Sequence, residues 1–140
     1  MEGTVRWIDD AMFVAESGSG HTVVIDGPES AGGRNIGIRP MELVLLGVAG
    51  CTSFDVISIL KKARQPVVDC VTRIAAERSD DVPTVFTKIH IHFTVVGDGL
   101  KETQVKRAVE LSADKYCSAS IMLGRAGVEI THDYEIKSST

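Results

Sequence analysis

Aromatic residues are scarce in this chain, at 5% of the whole. A sizeable core must therefore be built from Val, Ile, Leu and Ala, with part of it shared with a second copy of the chain. A basic excess is also missing. The net charge is -4, which argues against a dedicated nucleic-acid binder, since such proteins need a cationic footprint. The apolar run from Met41 to Ala49 is too short to span a bilayer, and its continuation carries Asp55, Lys61 and Lys62, so no membrane partner is expected. The start, Met1-Glu2-Gly3, has neither a basic segment nor an apolar one, so no signal peptide is expected. The expected location is the reducing cytoplasm, where three cysteines are poor material for a static disulfide framework. The glycines around Gly32-Gly33 match neither a P-loop nor a dinucleotide fingerprint. No nucleophile elbow of the Gly-x-Ser-x-Gly type is present either. No cofactor is expected.

What is there suits one globular domain over residues 1–140: 44% of the residues are hydrophobic and 24% charged. Thr4 to Asp9, Met12 to Glu16 and His21 to Asp26 read as three short strands joined by turns. Gly27 to Gly37 is a long loop, with Arg34 in it and Arg39 just beyond. Pro40 suits the first position of a helix that runs to Ala63, apolar nearly all round until Asp55 and ending in Lys61-Lys62. A helix apolar on every side is expected to be buried. Gly47 and Gly50 read as a break or as a close backbone approach. Val67 to Ser79 and Thr84 to Val96 alternate as the two strands of a long hairpin, with Ile89, Ile91, Phe93 and Val95 pointing inward. Lys101 to Tyr116 is an amphipathic helix with Val105, Ala108, Val109, Ser112 and Tyr116 on its inner stripe. Ile121-Met122-Leu123 is a further apolar turn, and Val128 to Lys137 is a last strand. The order β-β-β-α-β-β-α-β indicates an α+β fold.

The residues with chemical potential are thiols and imidazoles. Small residues precede Cys51 in Gly47-Val48-Ala49-Gly50 and leave its sulfur accessible. If the helix restarts after Gly50, unpaired N–H groups of its first turn favour the Cys51 thiolate. The opposing reading is a buried, inert thiol behaving as a small hydrophobe. Cys117, just after the amphipathic helix, is either a packing residue or a second thiol that condenses with an oxidised Cys51. Cys70 alternates with core residues on a strand and reads as core. His90 and His92 share one face of a strand, but no acidic or Cys ligand stands beside them in sequence, so they read as a polar stripe and no metal site is expected. His132, on an apolar face, reads as a core or boundary histidine.

The segment Pro40-Met41-Glu42-Leu43-Val44-Leu45-Leu46-Gly47-Val48-Ala49-Gly50-Cys51-Thr52-Ser53-Phe54-Asp55-Val56 resembles the OsmC/Ohr family of bacterial hydroperoxide-reducing proteins. Asp114-Lys115-Tyr116-Cys117-Ser118 is similar to the second cysteine motif of that family, and the order of elements agrees over essentially the full chain. The likeness is greatest to the YhfA-like branch of OsmC-related proteins. The resemblance implies the OsmC-like fold and an intertwined homodimer whose central helices share one core. It implies a thiol-dependent peroxide reductase, or a related redox stress protein, in which Cys51 attacks the peroxide, Cys117 resolves the product, and an external dithiol restores both. Arg39 and Glu42 are the expected polar neighbours, and Met41 and Phe54 are expected at the pocket. Two features of the peroxidase branches are missing. Their activating Glu corresponds to Met41, with Glu42 displaced by about 100° around the helix. Their activating Arg has no counterpart on the strand His21 to Asp26. A different reading is a non-catalytic homodimer that binds a small apolar ligand at the dimer-interface pocket, lined by Met41, Leu45 and Phe54.

Overall fold

A computed structural model describes all residues, Met1–Thr140. Two compact units are present, Met1–Val44 and Leu45–Thr140. In the first, β1 (Gly3–Asp9), β2 (Met12–Ser17) and β3 (Thr22–Ile25) form an antiparallel sheet in the order β1-β2-β3. The following loop is organised by Asp26, which is 2% exposed. Its carboxylate accepts backbone N–H bonds from Gly27 at 2.7 Å, Arg34 at 3.1 Å and Ile36 at 3.2 Å. Burial pushes this carboxyl up, but the three N–H donors and the nearby Arg34 outweigh it and hold the group below the usual range. Gly33 has to be glycine, because a Cβ there would lie 2.0 Å from the Gly27 carbonyl oxygen.

The long helix α1 spans Pro40–Lys62. Glu42 accepts the Arg39 N–H at 2.9 Å, half of a capping box, and Lys61 and Lys62 lie in the last turn. The expected break is not there: α1 runs unbroken through Gly47 and Gly50, and a Cβ on either would meet nothing within 4 Å. Each glycine costs about 1 kcal/mol in a helix. Burial of Val48, Val56 and Leu60, at about 1.5–3 kcal/mol per large side chain, outweighs that cost. The expectation of burial on every side also fails. One face is buried, while Val44, Leu46 and Phe54 remain 45%, 53% and 75% exposed. By length and composition α1 also meets the requirement for crossing a bilayer, which the run ending at Ala49 understates because the helix continues through Cys51–Leu60. Its buried stripe is Val48, Ala49, Thr52, Val56 and Leu60.

In the second unit β4 (Asp69–Arg78), β5 (Phe86–Val96) and β6 (Glu129–Lys137) form a sheet in the order β4-β5-β6. The pair β4/β5 is the expected antiparallel hairpin, whereas β5/β6 is parallel and needs a crossover connection. Ile89, Ile91, Phe93 and Val95 of β5 are buried as expected. Two corrections concern the crossover. The amphipathic helix α2 (Glu102–Leu111) tightens into no simple end but widens into a π turn over Ser112–Tyr116. The segment expected as a mere apolar turn is a third helix, α3 (Ser118–Arg125). The order is therefore β-β-β-α-β-β-α-α-β, still α+β. The π turn carries one residue more than an α turn, so Tyr116 leaves the inner stripe and is 49% exposed, while Cys117 takes the buried position at 0%.

Cys70, expected in the core, is half-buried on β4. On the other face of the sheet His92 Nδ1 lies 2.6 Å and His90 Nε2 3.2 Å from Asp133 Oδ1 of β6. Carboxylates thus stand beside the two imidazoles after all, supplied by the parallel register rather than by nearby sequence. His132 stacks on Phe93, with centroids 6.5 Å apart, and its buried Nε2 has no hydrogen-bond partner.

Burial pushes the His132 imidazole down, and Asp114 offsets this in part. The folded pKa lies below the unfolded value of about 6.5. The neutral ring is therefore compatible with the fold at higher pH, and stability falls as pH drops below the unfolded value. His132→Leu should retain more of its thermal midpoint than the wild-type chain between pH 7.5 and 5.5, followed by circular dichroism. Equal losses in both would place the acid sensitivity elsewhere.

Candidate functional site

Cys51 stands three turns inside α1, which is continuous there. It has none of the free N–H groups of a helix start, so the expected first-turn activation of its thiolate falls away. Asp55 follows at the i+4 position and so shares its face of the helix. Cys117 reaches the same place from the crossover connection. The sulfurs of Cys51 and Cys117 and a carboxylate oxygen of Asp55 all lie within 4.8 Å of one another. Cys51 and Asp55 are half-buried, and Cys117 is fully buried. The three cysteines are free thiols. A disulfide needs its sulfurs about 2.05 Å apart, so closure between Cys51 and Cys117 requires side-chain rotation rather than refolding.

Ser112 sets this geometry from both of its ends. Its hydroxyl shares a 2.8 Å hydrogen bond with Thr52 of α1 and has Asp55 Oδ2 at 3.3 Å. Its carbonyl accepts the Cys117 N–H at 2.9 Å and closes the π turn. Cys117 is then the N-cap of α3, where its sulfur accepts the Ser120 N–H at 3.5 Å. Burial pushes the Cys117 thiol up. The Ser120 donors oppose that, and the adjoining Cys51 reinforces it. No ion pair of the protein includes Asp55.

The other expected site residues are distributed as follows. Phe54 and Asp55 line an open cleft of about 490 Å³ together with Ile59, Lys62, Arg107 and Tyr116. Arg39 and Glu42 meet at the start of α1 through the Arg39 backbone N–H. The Arg39 guanidinium itself is held by the Gly37 carbonyl at 3.1 Å and by Asn35 Oδ1 at 2.8 Å. Met41 lies in the first turn of α1. Sequence reasoning missed Asp55, Thr52 and Ser112. A lone carboxylate one turn beyond a cysteine, in an otherwise apolar helix, was the available signal for Asp55.

The sequence model of the family described as OsmC-like protein matches residues 32–133. Protein YhfA of Escherichia coli strain K12 is 46% identical over 136 residues, covering 97% of this chain and 98% of its own. A hypothetical protein from Aquifex aeolicus VF5 has a solved structure with a TM-score of 0.85 and 29% identity, covering 99% of this chain and 97% of its own. An organic hydroperoxide resistance protein OsmC from Legionella pneumophila, also described as a predicted redox protein, shares the fold. Its TM-score is 0.69 at 15% identity, covering 99% of this chain and 96% of its own.

Ser112→Ala leaves the buried Thr52 hydroxyl without its partner. It should lower unfolding free energy by about 1–3 kcal/mol, measured by urea denaturation, and a loss within error would reduce Ser112 to a spectator. In the reduced chain, Cys51 should be alkylated by iodoacetamide at least tenfold faster than Cys117, read peptide by peptide by mass spectrometry. Equal rates would mean that Cys117 is not sealed in solution.

Proposed function

The chain belongs to the OsmC-like family, and from that premise and the thiol geometry we propose that it reduces hydroperoxides with the pair Cys51 and Cys117. The observation that carries this reading is the meeting of the two sulfurs within 4.8 Å with unequal access to solvent. The half-buried Cys51 is the attacking thiol, and the sealed Cys117 is the resolving one. The Cys51 thiolate attacks one peroxide oxygen, the O–O bond breaks, and the alkoxide leaves as an alcohol after taking a proton. Cys51 is then a sulfenic acid. Cys117 gives up its proton as its sulfur attacks the Cys51 sulfur, and hydroxide departs as water. The resulting disulfide is reopened by an external dithiol. The hydroperoxide-resistance name of the Legionella relative supports the same chemistry for this chain. The site of action is the cytoplasm, whose reducing poise returns the dithiol state.

The assembly proposed with this chemistry is a homodimer. Its support is the exposed apolar face of α1, where Val44, Leu46 and Phe54 stand beside the bare backbones of Gly47 and Gly50. A second reading, a non-catalytic dimer that holds a small apolar ligand, is favoured by one observation. The cleft at Phe54, Ile59 and Tyr116 offers apolar surface beside thiols that have no cation paired with them.

One experiment separates the two. Thiol loss from the reduced chain is followed after adding cumene hydroperoxide, with Cys51→Ser and Cys117→Ser alongside. Two thiols should disappear together, at least a hundredfold faster than from free cysteine. A sulfenic acid should be trapped on Cys51 when Cys117 is replaced. Loss no faster than free cysteine would end the peroxidase reading and leave the ligand-binding one.

A further inference from the structure

Two thiols and a carboxylate meet at one point with no basic side chain paired to any of them. We propose that Cys51, Asp55 and Cys117 form a binding site for a thiophilic divalent cation of the zinc class, with one coordination position left open. This reading shares its two sulfurs with the peroxidase one but does not rest on it.

The donor set is the first support. Thiolates and a carboxylate oxygen are donors that zinc accepts, and three protein ligands plus an exchangeable fourth is the arrangement of open zinc sites. Size is the second. Zinc lies about 2.3 Å from sulfur and about 2.0–2.2 Å from oxygen, which sets tetrahedral ligands roughly 3.5–3.8 Å apart. The observed separations, all within 4.8 Å, need a contraction of no more than about 1.3 Å to reach those ligand spacings, within the reach of side-chain rotation. The scaffold is the third. Cys51 and Asp55 are fixed at i and i+4 on α1, and Cys117 is fixed by the π turn and by its place as N-cap of α3.

A second layer of hydrogen bonds is already in place. The Ser112 hydroxyl reaches Asp55 Oδ2, and the Ser120 N–H points at the Cys117 sulfur. Outer contacts of this kind orient metal ligands and tune their basicity. Asp55 also lines the cleft with Phe54, Lys62 and Arg107, from which water or a small anion would supply the fourth ligand. Binding displaces the protons of both thiols. It also excludes a Cys51–Cys117 disulfide, which uses the same two sulfurs.

The test is a titration of the reduced chain with Co²⁺ in a non-thiol reductant, without oxygen. One equivalent per chain should produce a thiolate-to-cobalt charge-transfer band and the visible bands of a tetrahedral ion, both abolished by added Zn²⁺. Cys51→Ser and Cys117→Ser should lose the charge-transfer intensity, and Asp55→Asn should weaken binding at least tenfold. Cys70→Ser, outside the cluster, should bind as the wild-type chain does. Blocking Cys51 with iodoacetamide in the already folded wild-type chain should also abolish the band, which removes misfolding of a variant as an explanation. Absence of the band in the reduced wild-type chain overturns the proposal, as does its survival in the Cys51-blocked chain. Unchanged affinity in Asp55→Asn, or loss of the band in Cys70→Ser, overturns it equally. Rapid peroxide-driven thiol loss without cobalt binding would leave the peroxidase reading standing alone, and the reverse pattern would leave the metal site standing alone.

Discussion

Thr52 and Ser112 are far apart in sequence, both fully buried, and joined by a 2.8 Å hydrogen bond. That bond ties α1 to the crossover connection where the two cysteines meet. Cys51 adjoins Thr52, Asp55 lies three residues beyond it, and the Ser112 carbonyl holds the Cys117 N–H. A neutral hydrogen bond contributes only about 1 kcal/mol net to stability, far less than the apolar burial around it. Its importance is positional. Reactions between two fixed groups lose much of their advantage with a displacement of about 1 Å, and this bond sets the separation of the sulfurs.

The surroundings of the Cys117 sulfur run against its ionisation. Burial and the adjoining Cys51 raise the Cys117 thiol, and Asp55 contributes a carboxylate rather than a cation. A thiol in such surroundings keeps its proton until something compensates the charge. Two events do so. Attack on a sulfenic sulfur turns the Cys117 thiolate into half of a disulfide, and a bound divalent cation neutralises thiolates directly. In the absence of either, the buried Cys117 sulfur keeps its proton beside Cys51. The Ser120 N–H at the Cys117 sulfur is a fixed dipole that favours the thiolate without adding a charge, and so moderates the penalty rather than removing it.

Much of the fold was legible because its signals are periodic. The alternation of Ile89, Ile91, Phe93 and Val95 gave β5 and its buried face, and Pro40 and Lys61-Lys62 marked the two ends of α1. Gly47 and Gly50 misled because local propensity is a weak prior, and burial of the stripe from Val48 to Leu60 overrides it. The π turn was not legible, since one extra residue in a helical turn leaves no compositional mark. Its consequence, the exchange of Tyr116 for Cys117 at the buried position, followed from that hidden insertion. Helix α3 was too short for its period to stand out between Cys117 and Gly127. The two cysteines were candidates from the residues and became a pair through the family resemblance, whereas Asp55 was missed although its signal was local. It is the only carboxylate of α1 beyond the first turn, placed where an i+4 neighbour of Cys51 must lie.

The two chemistries assigned to the Cys51 site compete for the same electrons. A sulfur lone pair donated to a cation is withdrawn from attack on an oxygen, so an occupied site is protected from oxidation. A disulfide has no thiolate to donate, so an oxidised site cannot hold the ion. Occupancy then follows the redox state without any further moving part, because both states use the same rotamer freedom of Cys51 and Cys117. Asp55 distinguishes them. It is a ligand in the metal-bound state, but in peroxide reduction its negative charge lies beside a forming thiolate and opposes it. A carboxylate beside two thiols is therefore better accounted for by cation binding than by thiol activation. Of the three ligands, Asp55 is the one that belongs to the metal-bound state alone.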